Sequence, residues 1–157
     1  MQVPEEFRRL RASYEAYLLL ERGLSPNTRD AYLRDADRLC NCLADVGTTV
    51  PDADAGQLQQ FVAELHDLGI APRSQARIIS GMKSLYRFLH LEGIIDIDPT
   101  LKIDTPRIGR HLPDVLSVED INAMVEAVDL ERPEGPRNRT IIETLYGCGL
   151  RVSELCN

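Results

Sequence analysis

The twenty residues Pro72-Arg-Ser-Gln-Ala-Arg-Ile-Ile-Ser-Gly-Met-Lys-Ser-Leu-Tyr-Arg-Phe-Leu-His-Leu91 form one amphipathic helix by their spacing alone. Proline suits the first helical position, and Ile78, Ile79, Met82, Leu85, Phe88 and Leu89 recur at three- and four-residue intervals. Arg73, Arg77, Ser80, Ser84 and Arg87 are spaced by four, three, four and three residues, so they share the opposite face. From Leu68 to Leu91 the bases Arg73, Arg77, Lys83 and Arg87 meet no acid. Soluble helices ordinarily interleave both signs of charge. A face of guanidinium and hydroxyl groups without carboxylates suits phosphate oxygens and guanine edges.

Three more helices precede this one. Phe7, Leu10, Tyr14, Tyr17 and Leu18 predict a first helix from about Pro4 to Arg22, ended by Gly23. Ser25-Pro26 is an N-cap followed by a first-turn proline, opening a second helix that carries Tyr32, Leu33, Leu39 and Leu43 to about Val46. A third starts near Asp54 and carries Leu58, Phe61, Val62, Leu65 and Leu68 to Gly69. No alternating β-branched run predicts a strand, so the fold class is all-α, with a compact four-helix domain over residues 1–99. Asp98-Pro99, Thr105-Pro106 and Leu112-Pro113 then predict a linker over 100–113, because prolines at that density cannot continue a helix. Beyond it, Ser117 caps a helix through Ile121, Met124, Val125 and Val128. Residues 132–136 read as a loop, and a last full helix is expected from about Arg137 to Tyr146.

Composition excludes several classes. At 43% hydrophobic and 27% charged the chain is not disordered, and it holds no stretch near the roughly 20 apolar residues that span a bilayer. Its N-terminus lacks a basic start and an apolar run, which predicts a cytoplasmic protein without a membrane partner. Cys40 and Cys42 point about 200° apart around a helix and cannot chelate one ion together. Cys148 and Cys156 lack the paired spacing of a zinc site, so the four cysteines read as reduced structural thiols, with no metal. The net charge of -7 opposes nucleic-acid binding in sum. Its distribution does not: the helix at 72–91 and the segment holding Lys102, Arg107 and Arg110 against Asp104 are both locally basic.

The C-terminal stretch Leu145-Tyr-Gly-Cys-Gly-Leu-Arg-Val-Ser-Glu-Leu155 places two glycines where a helix finishes and Arg151 where another begins. A cation there opposes the helix dipole, which points to an anion shared by the arginine and the free amides. This stretch closely resembles the first catalytic arginine box of the tyrosine recombinases, the phage integrase family, and most closely its Xer branch. Leu24-Ser-Pro-Asn-Thr-Arg-Asp-Ala-Tyr-Leu-Arg-Asp35 looks like the opening of the family's SAM-like core-binding domain. Ser74 to Leu89 is similar to its later DNA-facing helix, and Asp98-Pro99 and Leu112-Pro-Asp-Val-Leu-Ser117 also match in order.

The resemblance implies site-specific recombination through a 3′-phosphotyrosine, in which arginines stabilise charge building on the phosphoryl oxygens. It marks Arg151 as catalytic and Glu154 as its support. It also implies DNA contacts from Thr28, Arg29 and Arg34, and it strengthens Arg73, Ser74, Arg77, Lys83 and Arg87, with Lys102, Arg107 and Arg110 as linker cations. Around Arg29 and Arg34, local ion pairs such as Arg34 with Asp30 or Arg38 with Asp35 stand as the other reading. Tyr32 reads as core. The implied partners are duplex DNA and other recombinase protomers, which form a tetramer on DNA in the family, with no small-molecule substrate and no cofactor. Residues 114–157 would be the first helices of a catalytic domain. No His-x-x-Arg pair follows them, and no tyrosine stands where the family keeps its nucleophile. These 157 residues alone are therefore expected to bind DNA without cleaving it, and to form no covalent adduct with a suicide substrate. Two other classes remain: a stand-alone helical DNA-binding regulator, and an acidic helical protein-interaction module.

Overall fold

The computed structural model describes residues 5–106, 109 and 115–157, and the described residues contain helices and no strand. The chain divides into two compact units, Met1–Gly109 and Arg110–Asn157. The first holds α1 (Glu5–Leu20), α2 (Pro26–Asp45), α3 (Ala55–Asp67), α4 (Pro72–Leu91) and a 3₁₀ turn, Pro99–Lys102; the second holds α5 (Val118–Glu126), α6 (Gly135–Cys148) and α7 (Val152–Leu155).

α2 and α3 start where side chains satisfy otherwise orphaned amides. The Ser25 hydroxyl accepts the Thr28 N–H at 3.3 Å and Pro26 follows at the first helical position. Asp54 and Gln57 form a reciprocal capping box, with the Gln57 N–H to Asp54 Oδ1 at 2.8 Å and the Asp54 N–H to Gln57 Oε1 at 3.1 Å. α4 lacks a side-chain cap and relies on Pro72, while Gln75 Nε2 donates to the Ile70 carbonyl at 2.6 Å.

α4 is the central element, packing against α1, α2, α3 and the 3₁₀ turn. Its Ile78, Ile79, Met82, Leu85, Tyr86, Phe88 and Leu89 are all buried, together with Tyr14, Leu18, Leu39, Leu43, Leu58, Phe61 and Leu65 from the other helices. Phe88 packs on both Tyr14 and Tyr17, with ring centroids 5.5 and 5.3 Å away. Fully burying side chains of this size contributes roughly 1.5–3 kcal/mol each, which is what holds α4 against the other three helices. The Tyr86 hydroxyl donates to the Val50 carbonyl at 2.8 Å, tying α4 to the loop between α2 and α3. Tyr86→Phe is expected to lower stability by about 1–2 kcal/mol, because it strands a buried carbonyl. A denaturant titration showing no loss would mean that water reaches Val50.

The segment expected to begin the linker is packed instead. Asp98 Oδ1 accepts the Thr100 N–H at 2.8 Å and its hydroxyl at 2.7 Å, and Thr100 and Ile103 are buried in the first unit. Proline 99 does not prevent this, since it occupies the first position of the 3₁₀ turn, where no donor is needed. Arg107, Arg110 and the stretch Leu112-Pro-Asp114 lie outside the described residues.

In the second unit Ser117 and Asp120 cap α5 as a reciprocal pair. α6 begins at Gly135, two residues before the expected start, with Pro136 in its first turn; the Asp129 carbonyl passes where a side chain on residue 135 would stand, since a Cβ there would lie 2.1 Å from it. Gly147 stays inside α6. Gly149 alone takes the left-handed conformation, φ 63°, and turns the chain toward α7. Among the described residues this unit buries no hydrophobic side chain: Met124, Leu130, Ile141, Tyr146, Leu150 and Val152 are all exposed.

Candidate nucleic-acid interface

The apolar side of α4 is consumed by the core, so geometry forces its other side outward. Of the predicted stripe, Arg73, Arg77, Ser80 and Arg87 are exposed and Ser84 is half-buried; beside it Ser74 is exposed and Lys83 half-buried. Two grooves follow it. One, of about 400 Å³, is lined by Arg22, Tyr32, Ser80, Lys83, Ser84, Arg87, Asp98, Thr100 and Leu101. The other is lined by Arg73, Ser74, Ala76, Arg77, Ser80 and Thr105. Ser80 borders both, and its hydroxyl donates back to the Ala76 carbonyl at 2.8 Å.

The face is not wholly free of carboxylates once the chain has folded. Asp35 of α2 is buried, and its two oxygens accept both terminal nitrogens of Arg77, at 2.5 Å from Nη1 and 3.0 Å from Nη2. The carboxylate reaches this position over Gly81, where a Cβ would stand 2.7 Å from Asp35 Oδ2. Burial pushes the Asp35 carboxyl above its usual pKa, while the hydrogen bond and charge of Arg77, then Arg38 and Arg34, pull it down. Arg77 is thus a fixed fork with its side chain 46% exposed, and Asp35 pairs across the helices rather than with Arg38. Asp98 is the one acid bordering the first groove, and its Oδ1 is already engaged by Thr100.

The α2 residues separate on folding. Arg34 is exposed. Arg29 is half-buried against α1, its Nε 3.8 Å from Glu15 and 3.6 Å from Asp30, and the Thr28 hydroxyl is paired with Ser25 Oγ at 3.0 Å. Lys102 is exposed beside the first groove, at the end of the 3₁₀ turn. Sequence reasoning omitted Arg22 and Thr105; Tyr32, read as core, packs half-buried against the core and also borders the groove. The available signal for Arg22 was its place beside Gly23, where α1 ends.

In the second unit Arg151 is the residue before α7, with its side chain 83% exposed. Glu154 binds it twice: Oε2 accepts the Arg151 backbone N–H at 2.7 Å and Oε1 accepts from Nη1 at 3.2 Å. The carboxylate therefore orients both main chain and guanidinium, leaving the other guanidinium donors outward. All four cysteines are free. Cys40 is buried, and Cys42 donates to Glu64 Oε2 at 3.2 Å, with burial and that bond pushing its thiol up to about 12. Neither is a reactive thiol. No helix among the described residues is long and apolar enough to cross a membrane.

The sequence is similar to that of known proteins. The family described as phage integrase, N-terminal SAM-like domain, matches residues 12–93. A tyrosine recombinase XerD of Pseudomonas putida is 42% identical over 138 residues, 88% of this chain and 46% of the relative. XerD of Lacticaseibacillus casei is 41% identical over 92% of the chain and 49% of the relative, and XerD of Chlorobaculum tepidum 35% over 96% and 51%. The chain spans about half the length of the curated relatives it matches.

Proposed function

The chain belongs to the phage integrase family, as an Xer-like tyrosine recombinase N-terminal region, and from that premise we propose that it serves site-specific DNA recombination in the cytoplasm. In this reading the first unit binds duplex DNA through the exposed face of α4, with Arg34 and Lys102 adding charge. The single observation that carries the assignment is that face: Arg73, Lys83 and Arg87 line a groove system beside hydroxyls, with both nearby carboxylates already engaged. Phosphate contacts of this kind release counterions, so they set affinity and its salt dependence.

The second unit supplies Arg151. A planar fork held by Glu154 is suited to an anion whose charge grows during reaction, and a scissile phosphodiester attacked by a tyrosine hydroxyl is such an anion. Strand exchange of this type stores the phosphodiester bond energy in the phosphotyrosine, so the proposal requires neither metal nor cofactor. Residues 1–103 would form the DNA-binding domain, since Thr100 and Ile103 pack within it; the residues up to 113 would form the linker, and 114–157 the opening of a catalytic domain. The partners of the proposal are duplex DNA and further recombinase protomers.

Fluorescence anisotropy with a mixed-sequence duplex between 50 and 200 mM salt tests the binding. Arg73→Ala and Arg87→Ala are each expected to weaken it and to reduce the slope of log affinity against log salt by about 0.9. Binding that ignores salt, or slopes that both variants leave untouched, would sink the assignment and favour a protein-interaction module.

A further inference from the structure

The pair formed by Asp35 and Arg77 is an unusual thing to find on a surface that meets polyanions. A carboxylate there repels phosphate, its burial is unfavourable, and its approach requires a glycine in the interior of α4, where glycine weakens a helix. Asp35 and Gly81 both depart from what stability or charge alone would select. What the arrangement does provide is geometry. End-on pairing through Nη1 and Nη2 fixes the plane of the guanidinium, and the five-donor inventory of arginine leaves Nε–H and one N–H on each terminal nitrogen unspent on Asp35. Arg77 lies between Arg73 and Ser80 on the same groove, so those donors sit on the phosphate-facing line.

We propose that Asp35 is a positioning residue for DNA binding, holding the Arg77 guanidinium in a fixed plane so that its remaining donors meet a backbone phosphate without first being ordered. The proposal rests on the DNA-binding reading above. Holding a long side chain in its bound conformation beforehand removes the entropy that binding would otherwise spend, which is how a buried anion can strengthen attachment to another anion. Arg34 and Arg38, flanking Asp35 on α2, keep the local field positive.

The sign of one substitution separates this from a bystander role. Asp35→Asn removes a negative charge next to the duplex, and on charge alone it would tighten binding a few-fold. Positioning predicts the opposite: about tenfold weaker binding of a mixed-sequence duplex at 100 mM salt, and a salt slope reduced by about one. Adding Arg77→Ala to Asp35→Asn is then expected to cost no further affinity, because the contact is already lost. Unchanged or tighter binding by Asp35→Asn overturns the proposal, as does a second full loss in the double variant. Wild-type protein without salt-dependent binding would overturn the DNA-binding reading itself, and this proposal with it. A readout needing no variant is the Arg77 guanidinium nitrogen resonances of the wild-type chain. Separate Nη signals that shift on adding duplex support the fixed fork, and an averaged signal unmoved by duplex refutes it.

Discussion

Arg77→Ala is expected to destabilise the first unit by about 3 kcal/mol at neutral pH, near the low end for stripping one partner from a buried pair, because Arg77 is half exposed and water would partly replace it. A surface ion pair would give less than about 1 kcal/mol. The difference lies with Asp35, which is 4% exposed and cannot turn to solvent. Its carboxyl is already raised above the usual value by burial, and loss of Arg77 removes the two largest influences holding it down. A folded-state carboxyl raised above its unfolded value contributes most below the unfolded pKa and loses that contribution as pH climbs through the folded one. The deficit of Arg77→Ala should therefore shrink as pH falls toward the ordinary carboxylate range. Asp35→Asn with Arg77→Ala should show almost no such dependence. Denaturant titrations from pH 4 to 8 decide it, and a deficit that is small, or equal at every pH, would mean that Asp35 is solvated.

Arg151→Ala carries the other large effect, and it requires a cleavage reaction to read. In a hybrid where residues 1–157 replace the matching half of the Pseudomonas putida relative, the variant is expected to form covalent DNA–protein adduct on a suicide form of that relative's recombination site about 10²–10³-fold more slowly. Arg151→Lys should recover little of that rate, since an ammonium is a point charge without the fork. Adduct formation within a few-fold of the unsubstituted hybrid would remove Arg151 from the reaction. Duplex affinity is the companion measurement: Arg151→Ala should leave it nearly unchanged, because the proposed binding face is α4.

How much of this could be read beforehand depends on whether the deciding contact is local. α4 was legible from end to end, since Pro72 opens it, Gly93 follows it and its apolar period never slips. Arg151 and Glu154 were legible as a pair because three residues along a helix start is contact distance. The partner of Asp35 was not, being 42 residues away, and the adjacent Arg38 offered an easier match. Two signals did exist. Asp35 lies four residues before Leu39, on the apolar stripe of α2, and Gly81 interrupts the middle of α4, where a glycine marks close approach of another group. The approach of Glu15 to Arg29 from α1 was hidden for a similar reason, since local spacing offers only the ion pairs within α2. The 3₁₀ turn was hidden by its proline, which breaks an α-helix yet suits the first position of a shorter turn.

The uncovered side chains of α5 and α6 bear on when Arg151 can act. A helix of 9 residues and one of 14, with no apolar side chain buried among those described, sit near the length at which isolated helices are only marginally populated in water. Glu154 orients the Arg151 guanidinium within its own turn, but that turn stands on helices that bury no apolar side chain among those described, and a donor must be held within about half an ångström of its productive geometry to stabilise a transition state. The contribution proposed for Arg151 would therefore depend on what covers Met124, Ile141 and Leu150.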